Sequence, residues 1–315
     1  MDLRQLRYFV TVAQEQNFTR AAEVLHISQP PLSRQIQLLE DELGVKLLLR
    51  NSRPIKLTEA GKLFYDQSLQ VLGRVEQMKR ATRQVGKNER QVLSIGFVPS
   101  NLYGGVPSMV KRLQHRRPDI DVQLLEVLSV EQPEALRTGR IDVGFGRIRA
   151  DAPGISRLLL REERLMLAMP IDHPLAGVET VPVPVEALST ERLLLYPNGR
   201  RPNFSDQVMS ALNDHGMQPA LVQEVSELQT ALGLVAANAG VCIVPGSVRS
   251  LRADLCYRLL GDESMTTPVL LSYRQNDSSE LIDMVIDILT EIFAEAPPWI
   301  EYSTNRLVKG WKRDD

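Results

Sequence analysis

The sequence predicts two architectures in one chain: an N-terminal all-α winged helix-turn-helix on a long linker helix, then a C-terminal α/β domain of two lobes. Three observations carry this. Apolar residues recur at helical spacing to about Lys87. From Gln91 the period changes to short apolar strands alternating with helical segments. Charge is also divided, with 14 Lys and Arg against 9 Asp and Glu in residues 1–88, and 23 against 30 in the rest. At 315 residues the chain is long enough for two domains, and its net charge of −2 hides that division. A basic front and an acidic back suit a nucleic-acid-binding head on a body with another task.

The head is organised around residues 19–49. Thr19 can cap a short helix whose small and apolar positions are Ala21, Ala22, Val24 and Leu25, and His26-Ile27 make a turn. Ser28 can cap a second helix, with Pro30 and Pro31 in its first turn, where a missing N–H costs nothing. That helix carries Leu32, Ile36, Leu39 and Leu43 on one stripe and ends at Gly44. Two helices joined by such a turn predict a helix-turn-helix. Met1 to Gln16 reads as an amphipathic helix that buries Leu3, Leu6, Phe9, Val10 and Ala13. After Gly44, a strand, a polar turn at Asn51-Ser52 and a second strand to Leu57 form a wing with Lys46, Arg50, Arg53 and Lys56.

In such a module the start of the second helix meets base edges in the major groove of double-stranded DNA. Here those residues are Ser28, Gln29, Ser33, Arg34 and Gln37, with Pro30 and Pro31 among them. Gln suits adenine and Arg suits guanine. Lys46, Arg50, Arg53 and Lys56 of the wing suit phosphate.

Thr58 opens a helix to about Lys87, roughly 45 Å long at 1.5 Å per residue. Leu63, Phe64, Val71, Leu72, Val75 and Met78 form its apolar stripe, with Arg74, Lys79, Arg80, Arg83 and Lys87 around it. A small head cannot bury that stripe alone; a second copy of the helix is the expected cover, and the chain's own body the alternative. Gly86 to Arg90 reads as a hinge.

The stretch LRYFVTVAQEQNFTRAAEVLHISQPPLSRQIQLLEDELGVKLLLR, Leu6 to Arg50, resembles the N-terminal signature of LysR-type transcriptional regulators. The match runs to about residue 88. QPPLSRQIQ, RPIKLTEAG, ALRTGRIDVGFGR, RPNFSDQVM and ELQTALGLVAANAGVCIVP further resemble the muconate- and benzoate-responsive regulators of aromatic (catechol) catabolism. The resemblance implies a probable activator that forms homodimers through paired linker helices and assembles to a homotetramer. It also implies an inverted-repeat operator and contact with RNA polymerase.

The body reads as strand Val92 to Val98, helix Val106 to His115, strand Asp121 to Val127, helix Val130 to Arg137 and strand Ile141 to Gly146. Such alternation predicts a parallel sheet. A second series follows: strands at Arg164–Pro170 and Arg192–Pro197, helix Asn203 to His215, a strand at Leu221–Val225, helix Glu227 to Asn238 and a strand at Gly240–Pro245. A strand at Pro268–Arg274 and a helix from Ser279 to Ala294 return near the end. Two such lobes resemble a periplasmic binding protein, the fold that the family implies. The expected division is residues 1–58 for the winged head, 59–88 for the linker helix and 89–300 for the effector-binding domain. Its lobe I spans about 91–163 plus 268–300 and its lobe II about 164–267; 301–315 form a tail to which no role is assigned.

Ligands of open α/β sheets sit at the carboxyl ends of strands, against helix starts. Ser100 and Ser129 follow the first two strands, where hydroxyls and N–H groups favour a carboxylate; Asn203, Phe204 and Ser205 open a third such helix. The resemblance implies a muconate site at matching positions, with Ser129 where Thr is usual. The candidate effector set is Ser100, Asn101, Leu102, Ser129, Arg147, Pro202, Asn203 and Phe204. Each serine alone also reads as a simple helix cap. Arg147 is a ligand or interlobe candidate, and Arg161 is expected to pair with Glu163 or Glu162. The ligand is thus expected to be a small mono- or dicarboxylate such as cis,cis-muconate; another small acid, or redox state, is the alternative signal.

Other classes have little behind them. The four histidines, His26, His115, His173 and His215, show no metal-ligand spacing. There is no Walker loop, GxGxxG or GxSxG, so an enzyme with a DNA-binding head is discouraged, and no cofactor is expected. The large two-lobed body speaks against a purely architectural DNA binder. Cys242 and Cys256 suggest no disulfide framework. No apolar run reaches membrane-spanning length and no secretion signal is read, so a cytoplasmic location is expected.

Overall fold

The computed structural model describes residues 1–50, 52–87, 90–149, 152–177, 181–275, 277 and 279–304. By its contacts the chain divides into two units, residues 1–89 with 134–140 and residues 90–133 with 141–315.

In the first unit Asp2 and Gln5 form a reciprocal capping box at the start of α1 (Leu3–Glu15), which buries Leu6, Phe9, Val10 and Val12. Leu3, in its first turn, stays 44% exposed, contrary to the sequence reading. Helix α2 (Phe18–Val24) is capped by Asn17, not Thr19: the Asn17 side-chain oxygen accepts the N–H groups of Thr19 and Arg20 at 2.8 and 3.2 Å. Asn17 is the residue with extended backbone, so Thr19 already lies inside the helix. His26 takes a left-handed φ of 54° and turns the chain into α3 (Gln29–Leu43). Ser28 is the N-cap of α3, but its side chain makes no capping bond. Leu32, Ile36 and Leu39 are fully buried, whereas Leu43 in the last turn is 37% exposed. Gly44, at φ +70°, ends the helix in a conformation that a side chain would resist.

Strands β1 (Leu48–Leu49) and β2 (Lys56–Leu57) pair antiparallel as the wing; Asn51 of its turn lies outside the described residues. The Thr58 hydroxyl accepts the Gly61 N–H at 2.9 Å and donates to the Lys46 carbonyl at 2.7 Å, tying the start of α4 (Glu59–Lys87) to the wing. Gly61 is needed for this approach, since a Cβ there would lie 2.0 Å from the Leu47 oxygen. On α4, Leu69 is buried, and the Phe64 ring meets Phe9 edge-on at 5.2 Å. Leu63, Val71 and Met78 remain 66, 44 and 60% exposed, an apolar line at helical spacing. The expected hinge includes Asn88 and Glu89, outside the described residues, and so does the tail beyond Thr304.

The second unit runs β3 (Gln91–Phe97), a 3₁₀ turn (Pro99–Tyr103), α5 (Gly105–Arg116), β4 (Ile120–Glu126), α6 (Gln132–Arg137) and β5 (Val143–Gly146). Then come β6 (Ile155–Pro170), β7 (Arg192–Leu195), α7 (Phe204–Asp214), β8 (Leu221–Glu224), α8 (Leu228–Ala236) and β9 (Val241–Pro245). The end is β10 (Leu255–Leu259), β11 (Thr266–Arg274), α9 (Glu280–Ala294) and β12 (Ser303–Thr304). The main strand order is β4-β3-β5-β11-β6-β9-β7-β8. Its flanks, β4-β3-β5 and β9-β7-β8, are parallel as expected, but the middle is antiparallel. The long strand β6 causes this. Its first part pairs with β11 and its last six residues pair with β9 and β10, so one strand serves two lobes. One core gathers Ile95, Met109, Val143, Leu271 and Val285; the other gathers Leu167, Leu193, Leu212, Leu232 and Ile243. Among the described residues no helix is long and apolar enough to cross a membrane.

The two cysteines lie on opposite sides of β6: Cys242 on β9 faces Ala168, and Cys256 on β10 faces Met169. Two strand spacings are about 10 Å, beyond the ~7 Å that a disulfide spans. Burial raises the Cys242 thiol pKa far above its usual value, which leaves it inert. In thiol titration Cys242 is expected to stay silent in the folded protein and to react in denaturant; prompt reaction of the folded state would contradict this packing.

Candidate functional sites: a basic helical head and an anion-favouring cavity

On the head, Ser28, Gln29, Pro30, Pro31, Arg34 and Gln37 are exposed along one end of α3, and Ser33 is half-buried beside them. Arg53 and Lys56 are exposed on the return limb of the wing. Arg50 differs from the sequence expectation. Its Nη2 donates to Glu40 Oε2 at 3.1 Å, and its guanidinium lies 5.6 Å from the Phe18 ring centroid. A buried carboxylate therefore already claims this cation.

In the second unit a cavity of about 380 Å³ opens at the carboxyl ends of β3, β4, β5, β7 and β8. Ser100, Leu102, Ser129 and Arg147 line one side; Pro202, Asn203 and Phe204 line the other. Seven of the eight expected residues thus meet. Asn101 does not. It is 2% exposed and turned away into lobe I, because successive residues of a 3₁₀ turn point about a third of a circle apart. Ser205, considered with it, is also buried and bonds the Pro197 carbonyl at 3.1 Å.

Arg147 organises the lobe I wall. Its Nε donates to Ser100 Oγ at 2.7 Å and its backbone N–H to Ser129 Oγ at 3.0 Å. Both hydroxyls act as acceptors there, so their own protons remain available to an anion. Arg147 Nη2 donates to Glu163 at 2.8 Å, and Arg161 Nη2 donates to the same oxygen at 3.1 Å. The other Glu163 oxygen accepts the Ser247 N–H at 2.5 Å. Burial pushes the Glu163 pKa up, but Arg147, then Arg161 and Ser247, outweigh it and hold it at about 2. Two buried guanidiniums share this carboxylate, and among the described residues Arg147 Nη1 has no hydrogen-bond partner. Such a site favours an anion.

The opposite wall is aromatic and capped. Tyr196 and Phe204 rings lie 5.2 Å apart. Asn203 and Asp206 form a capping box at α7, and Asn203 Nδ2 donates to the Pro197 carbonyl at 3.0 Å, so this side chain is engaged as a cap. Glu227 precedes α8 without a side-chain capping bond. The positive ends of two helices therefore face the cavity. Among the described residues no group of acids, histidines and cysteines could hold a metal ion.

Residues 3–62 match the model of the bacterial regulatory helix-turn-helix proteins of the lysR family, and residues 86–294 match the LysR substrate binding domain. The chain belongs to the LysR family of transcriptional regulators. The probable cat1 operon transcriptional activator of Acinetobacter lwoffii is 54% identical, over 96% of this chain and 99% of its own. The regulator BenM of Acinetobacter baylyi is 43% identical over 95% of this chain and 100% of its own. The structure of the BenM effector binding domain with its effector benzoate covers 67% of this chain and 97% of that one, with 39% identity and a TM-score of 0.64. Full-length CbnR in complex with target DNA covers 92% and 99%, with 30% identity and a TM-score of 0.60. This LysR-type chain is thus a DNA-binding regulator with an effector domain, not an enzyme.

The expected Arg161–Glu163 pair is present, but sequence reasoning missed Tyr103, Tyr196 and Gln229 in the cavity wall of this LysR-type regulator, and the Arg147–Glu163 pair beneath it. RLLLYP reads as an apolar strand and hides Tyr196 as its end; nothing in REERL marks which acid meets two arginines. The folded pKa of Glu163 is below the ordinary 4.5, so its stabilisation is full above that value and is lost as pH falls towards about 2. Glu163→Gln removes the carboxylate shared by two buried guanidiniums. It is expected to cost about 3–5 kcal/mol and to flatten the acid limb of urea-unfolding stability. An unchanged acid limb would refute the assignment.

Proposed function

We propose that this LysR-type regulator activates genes for aromatic-compound degradation when a small carboxylate such as cis,cis-muconate fills the cavity. The observation that carries the reading is the buried Arg147 guanidinium, whose Nη1 meets no hydrogen-bond partner among the described residues, next to two serine hydroxyls with protons to donate. One carboxylate meets Ser100, Ser129 and Arg147; the flat apolar middle lies along Phe204 and Leu102; the far end meets the starts of α7 and α8. The names of the relatives support this, one being a probable cat1 operon activator and another a regulator whose effector is benzoate. Glu227 precedes α8 on the lobe II wall, so the Arg147 end is the stronger anion site.

Residues 1–58 act as the DNA-binding head, 59–88 as the dimerising helix and 89–300 as the effector domain. The exposed line Leu63, Val71 and Met78 supports pairing of α4 with a second copy. Two such heads read the halves of an inverted repeat in the cytoplasm, and dimers join into a tetramer that meets RNA polymerase. The effector acts by binding one arrangement of the effector domains better than another.

Calorimetric titration of the full chain with cis,cis-muconate tests the cavity. Saturable micromolar binding, lost on changing Ser100 and Ser129 to Ala, is expected; absence of heat and of any thermal shift would remove muconate as effector. Arg34→Ala is expected to cost about 1–3 kcal/mol of operator binding and to relax base choice at one position. Unchanged affinity and base preference would displace Arg34 from the recognition surface.

A further inference from the structure

Glu40 stands in the last turns of α3, and its side chain has no solvent exposure. An uncompensated carboxylate in that position would be costly. Four donors meet it instead. Its Oε1 accepts the N–H groups of Leu47 and Leu48 at 2.9 and 3.2 Å, and its Oε2 accepts Lys46 Nζ at 3.3 Å and Arg50 Nη2 at 3.1 Å. Through Arg50, which lies over Phe18, the same carboxylate also reaches the first residue of α2. One acid thus joins both helices of the helix-turn-helix to the outgoing limb of the wing. On the return limb Arg53 and Lys56 are exposed, and no described residue pairs with their side-chain charges.

We propose that Glu40 is the positioning residue of the DNA-binding head: it fixes the wing to the recognition helix and withholds Lys46 and Arg50 from DNA, leaving Arg53 and Lys56 as the wing's phosphate contacts. This rests on the reading of α3 and the wing as the DNA-facing surface. The carboxylate trades electrostatic strength for alignment. Two of the four cations that sequence counting offers to phosphate hold the wing at a set angle, so base contacts by α3 and phosphate contacts by the wing occur together.

The test is the salt dependence of binding by the full chain to two duplexes: a mixed-sequence duplex, and the duplex that the wild-type chain enriches from a random pool. Each phosphate contact contributes a slope of about −0.9 in log K against log salt. Glu40→Gln frees Arg50, while Lys46 keeps Asp41 within 3.7 Å, and it loosens the wing. It is expected to steepen the mixed-sequence slope by about one unit per bound head, while preference for the enriched duplex falls about tenfold or more. A residue that merely supported the fold would weaken both duplexes without steepening either. An unchanged or shallower slope, or a retained preference, overturns the proposal. Should Glu40→Gln fail to fold, Arg50→Gln reads the pairing from the other side. An unchanged slope with reduced preference supports the proposal, and a slope shallower by about one unit per head overturns it. Lys56→Ala and Arg53→Ala separate the underlying reading: if neither flattens the slope, the wing does not meet phosphate, whatever Glu40 does.

Discussion

The effector domain is arranged around one carboxylate shared by two arginines out of water. Arg147 comes from the end of β5, Arg161 and Glu163 from β6, and the N–H of Ser247 from the turn after β9. Each of the three side chains is at most 3% exposed. A lone buried guanidinium would be expelled or would draw in water, so Glu163 is the condition for burying the other two. It sits where β6 leaves one set of partners for another. The constraint is therefore shared by both lobes: the anion-favouring wall of the cavity exists only if β5, β6 and the β9 turn are assembled around one carboxylate.

The head solves a related problem with the opposite balance of exposure. Glu40 is as buried as Glu163, but the cations it gathers stand at the surface: Lys46 and Arg50 keep 64 and 35% of their side-chain area in water. Burial raises the Glu40 pKa, but backbone N–H groups, Arg50 and Lys46 outweigh it, and the group stays below the ordinary carboxylate range. In both units an internal acid orders basic groups. In the cavity one Arg147 nitrogen is left for a small anion; on the head the gain is a wing in fixed register with α3.

Local patterns carried most of what the sequence disclosed. The α3 stripe Leu32, Ile36 and Leu39, the stop at Gly44 and the parallel triplets of strands all follow from spacing and turn chemistry. Expectations failed where a local rule had two equal candidates. Asn17 and Thr19 are both good caps, and only the backbone angle at Asn17 decides between them. Ser100 and Asn101 both follow a strand end, and the tight 3₁₀ turn sends one to the cavity and the other to the core. The first half of β6, ISRLLLREE, mixes charges with apolar residues: Arg161 and Arg147 pair with Glu163, and Arg149 with Glu162; no period-2 alternation betrays it. Strand β10 is short and pairs only with the far half of β6, so its partner is invisible until that strand is known. Seven cavity residues were legible because loops after strands converge by topology; the charge pairing beneath them depends on contacts distant in sequence.

On the proposed function, occupancy of so small a cavity matters to the effector domain because of who lines it. Arg147 belongs to one lobe, and Tyr196 and Phe204 belong to the other. Three polar ties already span that cleft: Gln207 to the Arg147 carbonyl at 2.6 Å, Gln229 to the Tyr103 hydroxyl at 3.1 Å, and Arg200 to Glu131 at 3.1 Å. An anion that meets Arg147 on one side and the start of α7 on the other adds a fourth tie, and the buried guanidinium makes it the strongest. A ligand shifts an equilibrium only by its difference in affinity between two states. On that reading, the arrangement that keeps Arg147 and α7 close enough for one molecule to touch both is the one that a carboxylate effector selects. A ligand reaching only one wall would bind without switching. Effector length is thus as decisive as effector charge, because charge sets affinity for Arg147 while length sets whether binding discriminates between lobe spacings.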